Sequence, residues 1–164
     1  MVVAPSFPPA RGGVERLLDG ICRELDSAGF TLTVLAPRRR AAPAWDAGRP
    51  WEARRVPRLT TPGGALRAML ALTRELRGGV SCLVVGHWCR LGVLLAAVAR
   101  LLSGTPCAIL VHGLDIGSTK SRLALGLLRR WSLRRADLFI ANSRHTRRCL
   151  LQAGVEPSRA VVIN

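Results

Sequence analysis

Residues 1–36 read MVVAPSFPPARGGVERLLDGICRELDSAGFTLTVLA, and this stretch indicates the fold of the whole chain. A short apolar run, 1–4, predicts a strand and is followed by a loop that ends at Gly12-Gly13. A helix is predicted from Gly13, because apolar residues recur at the spacing of one helix face: Val14, Leu17, Leu18, Ile21, Cys22 and Leu25. Gly29 follows where a helix C-cap is expected, and 30–36 predicts a second buried strand.

The same alternation of strand and helix patterns continues to the end of the chain. Further strands are predicted at 82–85, 107–111, 137–141 and 160–163, and further helices at 66–76, 91–102, 121–135 and from a cap at Ser143 to near Gly154. This order is typical of an α/β protein. We therefore expect a Rossmann-like fold, with a mostly parallel sheet and helices on both of its faces.

One stretch, 37–64, departs from this pattern, since it holds five Pro and seven Arg. We interpret it as a long surface loop with one short strand near 53–56. The length of 164 residues and the 49% of hydrophobic residues fit one globular domain, 1–164. Because the chain ends at Asn164 inside a predicted strand, we expect a truncated product.

The charge is strongly basic, at +15, and every basic residue except Lys120 is Arg. Such a surplus predicts attraction to anionic partners, although an Arg-rich composition is also typical of a GC-rich genome. Aromatic residues make up 4% of the chain, Tyr is missing and no recognition motif is found, so no nucleic-acid partner is expected. The five Cys show no Cys-x-x-Cys spacing, which favours a reducing cytoplasm over a disulfide framework.

Four short motifs follow predicted strands: Gly12-Gly13, His87-Trp88, His112 to Asp115, and Asn142-Ser143. In an open α/β sheet, ligands bind beyond the carboxyl ends of the strands. Glycines at a helix start let a phosphate approach the backbone N–H groups, although a plain tight turn is the alternative.

Each of these residues also has a structural interpretation. His112 and His87 could be hydrogen-bonded framework residues, and Asp115 and Asn142 could cap a turn or a helix. His145 and Cys149 are spaced to share a metal, but without further ligands nearby we expect no metal site.

Taken together, the motifs resemble those of family-four-type retaining GT-B glycosyltransferases, of the glycosyl transferases group 1 or mannosyltransferase-like kind. The similar stretches are Pro8-Pro9-x-x-Gly12-Gly13-Val14-Glu15, His112-Gly113-x-Asp115, Ala136-Asp137-x-x-Ile140-Ala141-Asn142-Ser143, and 154–164. Their order and spacing cover essentially the whole chain. The resemblance implies the N-terminal, acceptor-side half of such an enzyme.

The resemblance also implies roles for individual residues. Gly12 and Gly13 would meet the diphosphate of a nucleotide-sugar donor, and His112 would be the active-site histidine. Acceptor-binding residues at the same edge would be His87, Trp88, Asp115 and Asn142.

The whole enzyme would transfer a sugar with retention to a glycan, lipid-linked or small-molecule acceptor, without a metal or other cofactor. The C-terminal donor-binding domain is absent from the 164 residues, so this chain alone is expected to be inactive. A non-catalytic binding module or a split subunit is the alternative. The basic helix at 121–135 suggests peripheral attachment to the inner face of an anionic membrane, or else it is an ordinary surface helix.

Overall fold

A computed structural model describes residues 1–57, 61–113 and 130–163 of the chain. The chain divides into two compact units, Met1–Val80 and Ser81–Asn164. Strands alternate with helices in each unit, and every strand pairing described within a unit is parallel. The predicted Rossmann-like α/β fold is thereby confirmed, whereas the assignment of 1–164 to one domain stays a prediction.

The first unit has three parallel strands in the order β3-β2-β1. Its elements are β1 (Val2–Val3), α1 (Gly13–Ser27), β2 (Thr33–Pro37), α2 (Ala42–Asp46), β3 (Glu52–Val56) and α3 (Pro62–Arg77). Helix α1 begins at Gly13, as predicted, and it fully buries Leu18 and Cys22. It ends before Gly29, whose φ of 84° lies in the left-handed region that favours glycine.

The interpretation of 37–64 as one long loop is wrong for residues 42–46, which form α2. Pro43 lies in the first turn of that helix, where a missing backbone N–H costs nothing. The helix is held by an aromatic cluster, in which Trp45 contacts Phe7 edge-on at 5.5 Å and Trp51 at 6.4 Å between ring centroids. The predicted short strand is present as β3.

The second unit has four parallel strands in the order β4-β5-β6-β7. Its elements are β4 (Leu83–Val85), α4 (Arg90–Ser103), β5 (Cys107–Val111), α5 (130–135), β6 (Leu138–Ala141), α6 (Arg144–Gln152), a 3-10 turn (Pro157–Arg159) and β7 (Ala160–Val162). The predicted helix 121–135 is thus described over its last six residues. Across the described residues, no helix combines the length and the apolar character that a bilayer crossing requires.

A half-buried arginine in the 3-10 turn before β7 is bonded to the end of α5. Nη2 of Arg159 donates hydrogen bonds to the carbonyl oxygens of Leu133 and Ala136, at 2.7 Å each. The last carbonyls of a helix lack intrahelical partners, so a charged donor at this position stabilises the helix end.

Candidate functional site

Three of the predicted site residues lie side by side at the carboxyl ends of neighbouring strands in the second unit. His87 follows β4, His112 follows β5 and Asn142 follows β6. The imidazole rings of His87 and His112 stack, with 5.4 Å between centroids and 24° between planes. The backbone N–H of Asn142 donates to the carbonyl oxygen of Val111 at 3.3 Å, directly before His112. We call His87, His112 and Asn142 the histidine edge.

The position of His87 depends on a glycine in the first turn of α4. A Cβ added at Gly92 would lie 2.8 Å from the carbonyl oxygen of His87 and 2.5 Å from Cγ1 of Val85. Real Cβ atoms essentially never approach other atoms below 3.0 Å. Gly92 therefore lets the start of α4 pack directly against the backbone that carries His87.

Trp88 is a core residue of the same unit. Its side chain is 8% exposed, its Nε1 donates to Oγ of Ser132 at 3.0 Å, and its ring packs against Phe139 at 6.1 Å. These contacts anchor the segment that follows β4. These contacts indicate a packing role for Trp88. Its assignment to an acceptor pocket stays a prediction.

Asn142 is held by the start of α6. Ser143 is the N-cap of α6, as predicted, because its Oγ accepts a hydrogen bond from the backbone N–H of Thr146 at 3.1 Å. Oγ1 of the buried Thr146 donates to Oδ1 of Asn142 at 2.8 Å. Since the amide oxygen is engaged, the amide nitrogen is the group of this exposed side chain that suits a ligand. A Cβ at Gly113 would lie 3.5 Å from the same Oγ1, so the chain after His112 passes close to the helix start.

The other predicted site lies in the first unit, in residues 5–13, which we call the glycine loop. Gly12 precedes α1, and a Cβ there would overlap the carboxylate of Glu15, which also accepts a hydrogen bond from Oγ of Ser6. A Cβ at Gly13 would meet nothing within 4 Å, so the start of α1 is open. Gly12 supplies no side-chain cap to the first N–H groups of the helix. Such groups, with the helix dipole, favour a phosphate.

Two further predictions concern ligands. Asp115 lies outside the described residues. Sγ of Cys149 and Nε2 of His145 are 3.6 Å apart on α6. Across residues 1–57, 61–113 and 130–163, no group of three or more His, Cys, Asp or Glu side chains is placed to hold a metal ion.

Three residues that shape these sites were not predicted from the sequence. Gly92 has a sequence signal, since a glycine inside a helical pattern often marks a close contact. Thr146 follows the predicted cap Ser143 at the spacing of a capping bond, which also gives a signal. Arg55, whose Nη2 donates a hydrogen bond to the carbonyl oxygen of Pro8 in the glycine loop at 2.7 Å, gives no such signal, because its partners lie 9 to 47 residues away in the chain.

The sequence and the fold were compared with known proteins. The family model described as Glycosyltransferase Family 4 matches residues 11–164. A comparison with curated protein sequences found no match. Among solved structures, HepE of Anabaena in complex with UDP-glucose is similar at 19% identity and a TM-score of 0.68, over 99% of this chain and 43% of that one.

Two other solved structures have the same fold. MurG of Acinetobacter baumannii is 14% identical, with a TM-score of 0.59 over 99% of this chain and 44% of that one. The UDP-N-acetylglucosamine 2-epimerase of Rickettsia bellii is 15% identical, with a TM-score of 0.66 over 98% of this chain and 43% of that one. At these identities the likeness shows the fold alone. The chain spans less than half the length of each of these structures.

Proposed function

Since this chain belongs to glycosyltransferase family 4 and has the fold of an N-terminal GT-B domain, we propose that it is the acceptor-side half of a sugar-transferring enzyme. The observation that carries the proposal is the histidine edge, where two stacked imidazoles and a carboxamide meet beyond the ends of three parallel strands. HepE was solved with UDP-glucose and with UDP, which supports a nucleotide sugar as the donor.

The proposed chemistry uses the two sites differently. A neutral imidazole has one donor and one acceptor nitrogen, so His112 can bind and polarise a hydroxyl group of the transferred sugar or the acceptor. The amide nitrogen of Asn142 donates to an acceptor oxygen beside it. At the glycine loop, backbone N–H groups at Gly13 stabilise the charge that develops on the departing diphosphate. No step in this scheme requires a metal ion.

We propose that the nucleotide-binding groups lie in a second half of the enzyme, outside residues 1–164. Closure of the two halves would exclude water, so that transfer of the sugar competes successfully with its hydrolysis. The 164-residue chain alone then has no transferase activity. The acceptor is proposed to be a glycan, a lipid-linked sugar or a small molecule, and the sugar keeps its anomeric configuration.

Histidine variants test this function. The full coding sequence that contains this chain is expressed and assayed with a panel of nucleotide sugars. Replacing His112 with alanine should lower kcat by about 10²–10³-fold, as the loss of one transition-state hydrogen bond does, while the affinity for the nucleotide is retained. His145, the exposed histidine of α6, is the matched control, and His145→Ala should keep wild-type turnover.

Unchanged turnover in His112→Ala would remove the histidine edge from the mechanism. The anomeric configuration of the product, read by proton NMR in the first minutes of reaction, tests retention separately. A product of inverted configuration would refute retention and leave the assignment to sugar transfer intact.

An anionic membrane is the partner that we propose for the surface of α3. Leu66 and Leu70 are 61% and 60% exposed, and on the same face lie the exposed side chains of Arg67, Arg74 and Arg77. An outward face that combines leucines with arginines complements a negatively charged lipid surface. It would bring the enzyme to a lipid-linked acceptor at the cytoplasmic face.

Liposome flotation tests this partner. The protein should bind vesicles that contain about 30% phosphatidylserine at low salt. It should release them as the ionic strength rises. The double variant Leu66→Ser, Leu70→Ser should bind less at every salt concentration. Equal binding to neutral vesicles, or none to anionic ones, would refute the proposal.

A further inference from the structure

The side chain of Arg55 is only 9% exposed, although it lies on a short strand near the surface. To the described residues it makes four hydrogen bonds. Nε and Nη2 donate to the two carboxylate oxygens of Asp46 at 3.0 and 2.6 Å, Nη1 donates to the carbonyl oxygen of Pro37 at 3.2 Å, and Nη2 donates to that of Pro8 at 2.7 Å. Its chain neighbour Arg54 is 48% exposed and forms surface ion pairs.

These partners belong to three separate segments. Asp46 ends α2, Pro37 ends β2, and Pro8 lies in the glycine loop, 47 residues from Arg55. A single planar guanidinium with five N–H donors can bind a carboxylate and two carbonyls at once. Arg55 therefore fixes the glycine loop relative to two elements of the core.

The described contacts of the glycine loop show what Arg55 adds. Phe7 is fully buried and packs against Trp45, and Ser6 bonds to Glu15. Neither contact involves the backbone at Pro8, which is held by Arg55. Pro8 lies between the buried Phe7 and the open helix start at Gly13. The guanidinium carbon of Arg55 also lies 5.7 Å from the Phe7 ring centre, so one side chain supports both the ring and the carbonyl of this segment.

We propose that Arg55 is a positioning residue for donor binding, which holds the glycine loop so that the first N–H groups of α1 face the diphosphate. The proposal rests on the proposed function of the glycine loop. Displacements of about 1 Å away from a reacting centre can lower a rate by about 10²-fold, so loss of this anchor affects donor binding without removing a group that touches the substrate.

Hydrogen exchange on the protein itself tests the anchor without reference to activity. In Arg55→Met, amides of residues 6–16 should exchange at least about 10-fold faster, while peptides from α3 and β2 keep their rates. Trypsin should also cleave faster after Arg11. Arg54→Met, on the same strand, is the matched control and should leave the glycine loop unchanged. Arg55→Lys should give an intermediate rate, because an ammonium group cannot form the planar fork.

Asp46→Asn is a second variant in case Arg55→Met does not fold. It weakens the carboxylate contact and keeps the arginine, so the glycine loop should loosen less but in the same place. Uniformly faster exchange throughout the first unit would show a merely structural role and overturn the proposal. Unchanged exchange in residues 6–16 would overturn it as well.

Kinetics of the full coding product separate this proposal from the proposed function. Arg55→Lys should lower kcat/KM for the nucleotide sugar about 10-fold or more and leave KM for the acceptor unchanged. A looser loop with unaltered donor kinetics would refute the positioning role while sugar transfer stands. Absence of sugar transfer in the wild type would refute the proposed function, and the hydrogen-exchange result would still decide whether Arg55 holds the loop.

Discussion

Replacing Gly92 with alanine should destabilise the protein, although the same substitution usually stabilises a helix. The new Cβ would lie 2.8 Å from the backbone oxygen of His87, about 0.6 Å inside the 3.4 Å at which ordinary contact begins. It would lie 2.5 Å from a methyl group of Val85, which is about 0.9 Å inside that limit. Overpacking of this kind costs about 1–3 kcal/mol, and the gain in helix propensity offsets up to about 1 kcal/mol. Because two atoms are overlapped and one of them is backbone, we expect a cost of about 2–3 kcal/mol and hence a net loss of about 1–2 kcal/mol.

Gly20 is the matched control, since it lies inside α1 and an added Cβ there would meet nothing within 4 Å. Gly20→Ala should therefore stabilise the protein by about 0.5–1 kcal/mol. Urea unfolding followed by circular dichroism gives both values, and the two midpoints should move in opposite directions. A Gly92→Ala midpoint at or above the wild-type value would contradict the close packing of α4 against His87.

Three further predictions concern stability. Ser143→Ala removes the N-cap of α6 and should lower the unfolding free energy by about 1 kcal/mol; an unchanged urea midpoint would contradict the cap. Arg159→Ala removes a charged donor from two carbonyls at the end of α5 and should cost about 2 kcal/mol, of which Arg159→Lys should recover a part. Burial raises the pKa of the Cys22 thiol to about 12, with a smaller effect from Asp19, and burial likewise raises the pKa of Cys107 to about 12. Unfolded thiols ionise from about pH 8.5, so the unfolding free energy should be at its full value below that pH and fall as the pH rises towards 12. The chain has no Tyr to titrate in this range, and equal stability at pH 8 and pH 10 would refute the prediction.

Much of the fold could be predicted because its elements have local causes. Strand β5 was predicted with its observed bounds, since it is a run of five apolar residues that are all buried. The start of β2 was predicted three residues early, because the apolar Phe30 proves to be 58% exposed. Helix α2 was missed because prolines dominate its surroundings and its stability comes from distant aromatic contacts.

The candidate site could be predicted only as far as strand ends determine it. The order of strands brings His87, His112 and Asn142 to one edge, and this follows from the alternation of elements. The sequence assigns Trp88 and His87 the same acceptor-binding role. In the structure Trp88 is buried in the core, where it bonds to a partner 44 residues away in the chain. The role of Arg55 depends on contacts equally distant in the chain, so no local pattern reveals it.

The most direct test of the central claim compares two proteins in one sugar-transfer assay: the full coding product that contains this chain, and residues 1–164 alone. Both are incubated with nucleotide sugars and a glycan and lipid extract, and labelled products are identified by mass spectrometry. We expect transfer by the full product and none by residues 1–164, because the donor would be held by the second half. Turnover by residues 1–164 alone, or no transfer by the full product from any donor, would contradict it.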